Sequence, residues 1–229
     1  PVHPAALATA VAGLRALQVR GVNVTVPHKE HVIPLLDSVS DVARRIGAVN
    51  TIINREGHLY GTNTDVTGVT GTLADAKCTL AGKAVLLIGA GGAARATVAA
   101  LLAEQVASIT IVNRTESRAQ RLIDDFQTPA CQMHTAPLNA LQDRELLQRV
   151  GLVINATSIG LHGESFPTLL CAETARNTLF FDLIALQHTP FITCARAAKR
   201  RAIDGRGMLL HQGAEAFTLW TGQALSLIH

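Results

Sequence analysis

The chain has 229 residues, 48% of them apolar and only 16% charged, with a formal net charge of +3. That length and apolar content are enough for a buried core and exclude a disordered chain. So small a charge, with a single Trp and a single Tyr, offers little to attract or stack on nucleic acid, and no nucleic-acid partner is expected. No apolar run reaches membrane-spanning length and no signal-peptide pattern opens the chain, so no membrane partner is expected and a cytoplasmic location is. Cys78, Cys131, Cys171 and Cys194 show neither a CxxC pair nor metal-ligand spacing; they read as reduced thiols, mostly buried, and no metal is expected.

The sequence starts at Pro1, without Met, inside a helix-like pattern. Residues 4–18 place Leu7, Val11, Leu14 and Leu17 on one helical face, and 21–26 read as a short strand stopped by Pro27. A helical stretch over 29–36 and a second helix over 41–46 follow. Residues 49–54 and 58–62 read as strands around the turn Arg55-Glu56-Gly57. Residues 65–73 predict a helix despite their threonines and glycines. From Lys83 the pattern changes: 85–88 is a continuous apolar run, as in a strand covered on both faces. A helix to about residue 104, a strand over 108–112, a helix over 116–126 and strands over 152–154 and 179–183 continue an alternation that predicts a parallel sheet. Helices over 193–201 and 208–219 close the chain.

After the run ending at Ile88 comes Gly89-Ala90-Gly91-Gly92-Ala93-Ala94, the pattern Gly-x-Gly-x-x-Ala leading into a helix. Gly89 permits a tight turn, Gly91 lets backbone approach a pyrophosphate, and Ala94 lets helix and strand pack closely. The helix start adds free N–H groups and a dipole that favours an anion. A glycine pair alone is often only a turn, but here strand, loop, helix and second strand fall in the order of a dinucleotide-binding βαβ unit. NAD sites usually place Asp or Glu at the tip of the second strand. This strand ends Val112-Asn113-Arg114-Thr115, and Arg114 and Arg118 carry donors suited to a 2′-phosphate. The plainer reading is that these arginines solvate the next helix; their place at the strand tip favours NADP as cofactor.

Three polar islands interrupt the apolar structure before this unit: Thr25-Val26-Pro27-His28-Lys29, Gly47-Ala48-Val49-Asn50-Thr51 and Gly61-Thr62-Asn63-Thr64-Asp65. Each borders a strand, so they are able to converge at one edge of a small sheet. Oxidising an alcohol with a nicotinamide needs a group that takes the hydroxyl proton as hydride leaves carbon, and a Lys held by an Asp does this. On the residues alone, a Lys after Pro is as readily a surface residue and an Asp after Thr a helix N-cap, and both readings stay open.

Asn23-Val24-Thr25-Val26-Pro27-His28-Lys29-Glu30, Gly47 to Thr51, Asn63-Thr64-Asp65, Gly89 to Arg95, Asn113-Arg114-Thr115, Asn155-Ala156-Thr157-Ser158-Ile159-Gly160 and Gly207-Met208-Leu209-Leu210-His211-Gln212 stand in one order along nearly the whole chain. Together they resemble the shikimate dehydrogenase family. The resemblance implies reversible NADP-dependent reduction of 3-dehydroshikimate to shikimate, in aromatic amino-acid biosynthesis. It implies Lys29 and Asp65 as the catalytic pair and Thr25, Asn50 and Gln212 as substrate ligands. For the cofactor it implies Gly89, Ala90, Gly91, Gly92, Ala93, Asn113, Arg114, Thr115, Arg118, Thr157, Ser158, Gly205 and Met208. The implied fold is α/β: a Rossmann-type doubly wound parallel-sheet domain plus a smaller α/β substrate domain completed by the C-terminal helix. The expected division is 1–66 for the substrate domain, 67–207 for the nucleotide domain and 208–229 for the returning helix. The expected partner is a small-molecule substrate, the expected assembly a monomer or homodimer.

The sequence departs from the family in places. The family opens with a strand and helix whose paired serines and Asn grip the substrate carboxylate; nothing here corresponds, and a truncated chain lacking that strand and helix is expected. Val66 stands where the family has Gly. Asp182-Leu183-Ile184-Ala185-Leu186-Gln187 lacks the family's Tyr and is one residue short before Thr189-Pro190, and the segments after Gly163 and around 201–202 look short. Two other readings therefore stand: a quinate or shikimate-analogue dehydrogenase, and a nucleotide-binding regulatory module without turnover. His28 and His211 read as bystanders near the site and His229 as a surface residue, while Arg44-Arg45 and Lys199-Arg200-Arg201 read as solvated helix ends.

Overall fold

The structure, a computed structural model, describes residues 1–162 and 164–225; His229 lies outside them. Two sheets organise the chain. The first has four strands, β1 (Gly21–Asn23), β2 (Ser38–Val39), β3 (Thr51–Arg55) and β4 (His58–Thr62), in the order β1-β3-β4-β2. Strands β3 and β4 form the expected hairpin: Arg55 pairs with His58, and Glu56 and Gly57 take φ of 54° and 89°. Two successive left-handed residues give the turn whose twist matches antiparallel strands. Helix α1 (Leu7–Ala16) lies against this sheet through Val11, and Arg15 ties it to Asp37 and to the Gly57 carbonyl.

Here the expected elements shorten. The strand expected to reach Val26 pairs only to Asn23, after which Val24 donates to the Asn50 carbonyl and the chain turns at a cis Val26–Pro27 bond. The helix expected over 29–36 is a series of turns with one 3-10 turn at Ile33–Leu35, because Pro34 cannot donate to a helical ladder. Helix α2 (Asp41–Ile46) has the expected bounds, with the Ser40 hydroxyl accepting from the Ala43 N–H.

Helix α3 (Asp65–Asp75) leads to the second sheet, whose strands are β5 (Ala84–Ile88), β6 (Ser108–Val112), β7 (Gln132–Ala136), β8 (Leu152–Asn155), β9 (Leu179–Asp182) and β10 (Arg201–Ile203). All six run parallel in the order β10-β9-β8-β5-β6-β7. Strand order thus reverses between β5 and β8, as in doubly wound Rossmann sheets, which open a ligand crevice at that point. Helices α4 (Gly92–Ala103) and α5 (Glu116–Phe126) cover one face together with α3 and α8 (Arg206–Thr221). Helices α6 (Arg144–Arg149) and α7 (Pro190–Ala197) cover the other. Strands β2, β7 and β10 and helix α6 were not expected from the sequence. The helix expected over 193–201 runs instead from Pro190 to Ala197, and Arg201 opens β10.

Helix α3 keeps its glycines for packing. A Cβ on Gly68 would stand 2.8 Å from Met208, and one on Gly71 2.6 Å from the His211 ring, so these positions admit α8 at close range. Farther along, Trp220 donates to the Ile52 carbonyl of β3 at 2.9 Å, over Gly21. Helix α8 therefore leaves the second sheet and ends on the first.

Two expectations about side chains are corrected. Cys171 and Cys194 form a disulfide, leaving Cys78 and Cys131 as the free thiols, because the turn at Cys171–Glu173 packs on α7. Arg200 is no solvated helix end: it donates to the carbonyls of Ala172, Thr174 and Ala198, and Arg45 lies over the Phe126 ring at 5.5 Å.

Candidate active site

The three polar islands converge. Lys29 lies in the turns after β1, Asn50 just before β3, and Asp65 at the first turn of α3. Lys29 Nζ is 2.7 Å from Asp65 Oδ2, with 21% of the Lys side chain exposed and 8% of the Asp. The ammonium is thus reachable from the cavity while its counter-ion is nearly enclosed. Asn50 Nδ2 donates to the other carboxylate oxygen at 2.9 Å, and Asn50 Oδ1 accepts from the Thr64 N–H and the Thr51 hydroxyl, both at 2.8 Å. Asn63 donates to the Ala48 carbonyl and accepts from the Asp65 N–H, so the carboxylate is oriented from its own backbone. A buried ion pair is tolerable only when its remaining lone pairs are so satisfied. Neither Asn63 nor Thr51 stood among the expected site residues; the signal for them was their place within the polar islands.

The pair opens into a cavity of about 460 Å³. Its polar side is Asn23, Thr25, Lys29, Asn50, Asp65 and Gln212; its apolar side is Leu183, Ala185, Met208 and Leu209. The expected substrate residues therefore share one cavity with the expected catalytic pair. Gly205 and Met208, expected on the cofactor, line the same cavity. Gly205 lies against the Leu183 carbonyl, where a Cβ would sit 2.1 Å away. Gln212 faces Thr64 at 3.5 Å, held by its own bond to the Leu209 carbonyl.

The glycine turn stands at the carboxyl end of β5. Gly89 has φ of 113°, which favours glycine, and a Cβ there would touch the Ala156 carbonyl at 3.0 Å. Ala94 is fully buried against the sheet. A Cβ on Gly91 or Gly92 would meet nothing within 4 Å, so the backbone at the start of α4 faces open space. Two depressions flank it. One, about 320 Å³, is lined by Asn113, Arg114, Thr157 and Ser158 with Ile88, Val112 and Leu138. The other, about 460 Å³, is lined by Ala90, Gly91, Arg95, Arg118 and Arg121 with Glu30 and Gly47. Arg114 and Arg118, expected together, thus face different depressions; Arg121, one turn on from Arg118, was not expected. Of the other expected cofactor residues, Ala93 lies in the first turn of α4 and Thr115 is the N-cap of α5, its carbonyl accepting from Asn113.

The Thr157-Ser158 turn is set by buried groups. Asn155 accepts from the Thr157 N–H and hydroxyl and donates to Asp182 at 2.9 Å. Burial pushes the Asp182 carboxyl above its usual range, against the pull of the Thr189 hydroxyl, the Ile184 N–H and the Asn155 amide. The histidines do not join the site: His211 binds Asp75 at 2.7 Å and His28 the Val2 carbonyl at 2.8 Å. Among the described residues no three His, Cys, Asp or Glu side chains stand together as metal ligands, and no helix is long and apolar enough to cross a membrane.

A glycine turn of the dinucleotide type, in a doubly wound sheet beside a cavity with a Lys–Asp pair, is the arrangement of a nucleotide-dependent oxidoreductase. Comparison with known proteins narrows the class. Residues 1–52 match the shikimate dehydrogenase substrate binding domain, 72–184 the shikimate / quinate 5-dehydrogenase family, and 205–226 the shikimate 5′-dehydrogenase C-terminal domain. A shikimate dehydrogenase (NADP(+)) of Magnetococcus marinus is 40% identical over 98% of this chain and 80% of its own. One of Moorella thermoacetica is 44% identical over 97% of this chain and 76% of its own. The crystal structure of a Thermus thermophilus shikimate 5-dehydrogenase in complex with NADP(H) and shikimate superposes with a TM-score of 0.85 at 36% identity, covering 98% of this chain and 81% of that one. The chain belongs to the shikimate dehydrogenase family.

Proposed function

We propose that the chain is an NADP-dependent shikimate dehydrogenase, interconverting 3-dehydroshikimate and shikimate in aromatic amino-acid biosynthesis, in the cytoplasm. The observation that carries this is the Lys29–Asp65 contact of 2.7 Å in a cavity bounded by Asn50, Gln212 and Met208. It is supported by the names and ligands of the relatives. We also propose the division into a substrate part, 1–66 with 208–229, and a nucleotide part, 67–207.

The residues fit NADP. The open backbone at Gly91 and Gly92 suits a pyrophosphate at the start of α4, and Arg114 and Arg118 supply charge for a 2′-phosphate. Gly89, Ala90 and Ala93 shape the turn, Asn113, Thr115, Thr157 and Ser158 border it, and Gly205 and Met208 close the end nearest the substrate. When bound, the cofactor supplies or accepts the hydride at the substrate carbon. Lys29 hydrogen-bonds the substrate oxygen, giving it a proton during ketone reduction and taking one during alcohol oxidation. Asp65 keeps that ammonium in place, and Thr25, Asn50 and Gln212 orient the ring hydroxyls.

The test is NADPH turnover, followed by ultraviolet absorbance, with shikimate or quinate and NADP or NAD. Turnover with quinate and none with shikimate would reverse the assignment of substrate. NADPH binding without turnover on any pair would favour the regulatory module. A quinate or analogue reading has one observation in its favour: Ala185 lines the cavity where the family carries Tyr, leaving that wall wider and without a phenol.

A further inference from the structure

Helices α2 and α4 stand beside different sheets, and one side chain joins them. Helix α2 ends at Gly47, whose φ of 72° turns the N–H groups of Gly47 and Ala48 back onto the Ala43 carbonyl. Such a cap leaves last-turn carbonyls in need of donors. Arg95 provides them: Nε donates to the Ile46 carbonyl and Nη2 to the Arg45 carbonyl at 3.5 Å. Its Nη1 is anchored by Asp125 at 2.6 Å, and its guanidinium lies 5.3 Å from the Phe126 ring centroid. Only 20% of the Arg95 side chain is exposed and its bond to Ile46 is half-buried, while its Asp125 partner reaches solvent.

Each end of this contact leads to a part of the site. From Ile46 the chain runs directly to Asn50: the Ala48 carbonyl accepts from Asn63, the Val49 N–H donates to the Lys29 carbonyl at 2.8 Å, and Asn50 holds Asp65. On the other side, the Arg95 N–H donates to the Gly91 carbonyl at 3.0 Å, within the first turn of the helix that receives the pyrophosphate.

We infer that Arg95 is a positioning residue, fixing the dinucleotide turn at Gly91 relative to the Asn50–Asp65–Lys29 set. It lines the depression beside Gly91, but its guanidinium nitrogens are engaged by Ile46, Arg45 and Asp125, so it acts through the turn and not on the substrate or the reacting atoms. The inference rests on the oxidoreductase reading for its catalytic consequence, but its structural half stands apart from it. Hydride transfer depends on a short, fixed approach between two carbons, and misplacement of about 1 Å costs on the order of 10²-fold in rate. A lysine keeps the charge but lacks the fork that reaches two carbonyls and a carboxylate together.

The test uses Arg95→Met and Arg95→Lys in the full chain, each checked by thermal melting. For Arg95→Met, kcat is expected to fall roughly 10- to 100-fold with either KM changed less than about threefold, and Arg95→Lys to recover part of the loss. Amide hydrogen exchange at Gly47, Ala48 and Thr64 is expected to quicken in both variants, with the amides of β6 unchanged. Arg95→Lys keeps the question open to experiment should Arg95→Met not fold. Exchange unchanged at those amides, or a kcat within about twofold of the parent in both variants, would overturn the inference. A parent protein that neither binds nor turns over substrate would instead overturn the functional reading, while the exchange comparison still decides the role of Arg95.

Discussion

Gly68 of α3 and Met208 of α8 are in such close contact that a Cβ on the glycine would stand 2.8 Å from both the Met208 Cγ and its carbonyl oxygen. The backbone carbonyl cannot swing aside as a side chain does, so a methyl group there must push the helices apart. Gly68→Ala is expected to destabilise the fold by about 1–3 kcal/mol in denaturant titration, despite alanine's better helix propensity. Because Met208 and Gln212 line the substrate cavity, the KM for shikimate should rise as well. A variant as stable as the parent would show that α8 moves without resistance.

Lys29 is the proton carrier of the proposed reaction. Lys29→Ala is expected to lower kcat by roughly 10²–10⁴-fold while leaving NADPH affinity nearly unchanged. Steady-state kinetics with a fluorescence titration of NADPH checks both halves. An unchanged kcat would remove Lys29 from the chemistry.

The separation of Arg114 from Arg118 makes their roles distinguishable. Arg114→Ala should weaken NADPH by about 10- to 100-fold, the value of a lost charge-assisted bond, and NADH hardly at all. The same comparison for Arg118→Ala tests whether the depression beside Gly91 also receives the 2′-phosphate. Equal losses for both nucleotides would place an arginine on shared phosphates instead.

Asp37 sets an acid limb of stability. The Arg15 guanidinium, then the Leu59 N–H, hold its carboxyl down from 3.8 to about 2. A depressed folded-state value means its contribution is full above 3.8 and is lost as pH falls toward about 2. Asp37→Asn should therefore lower stability at neutral pH and show a flatter decline across that window, in unfolding measured against pH. An identical decline in both proteins would exclude Asp37 as a source of it.

The elements most legible in the sequence were those fixed by local signals. Gly89 announced a tight turn, where its φ of 113° favours glycine; Gly91 announced an open backbone at the helix start, and Glu56-Gly57 a hairpin whose φ values came out left-handed. Helix α3 was readable although Thr67, Gly68, Thr70 and Gly71 are weak helix formers; the structure shows that its glycines face α8. Strand β10 was not readable, since Arg201–Ile203 owes its extended form to pairing with Leu179–Phe181, distant in sequence. At the site, Lys29, Asn50 and Asp65 stood out as polar residues in apolar surroundings. Arg95 did not, because it stands at the end of a glycine motif and its partners Ile46 and Asp125 are set only by tertiary packing.

The anchoring of Trp220 on Ile52 has a mechanical consequence. The chain passes from the four-stranded sheet to the six-stranded one through α3 and comes back through α8, and those two helices are packed side by side. Two adjacent tethers act as the two screws of a door plate: they oppose twisting of one sheet against the other and leave bending as the softer motion. Any opening of the cleft thus has its axis set by the α3–α8 seam, and it must first break the Arg95 bonds to the Ile46 and Arg45 carbonyls that hold the Gly91 turn in register with Lys29.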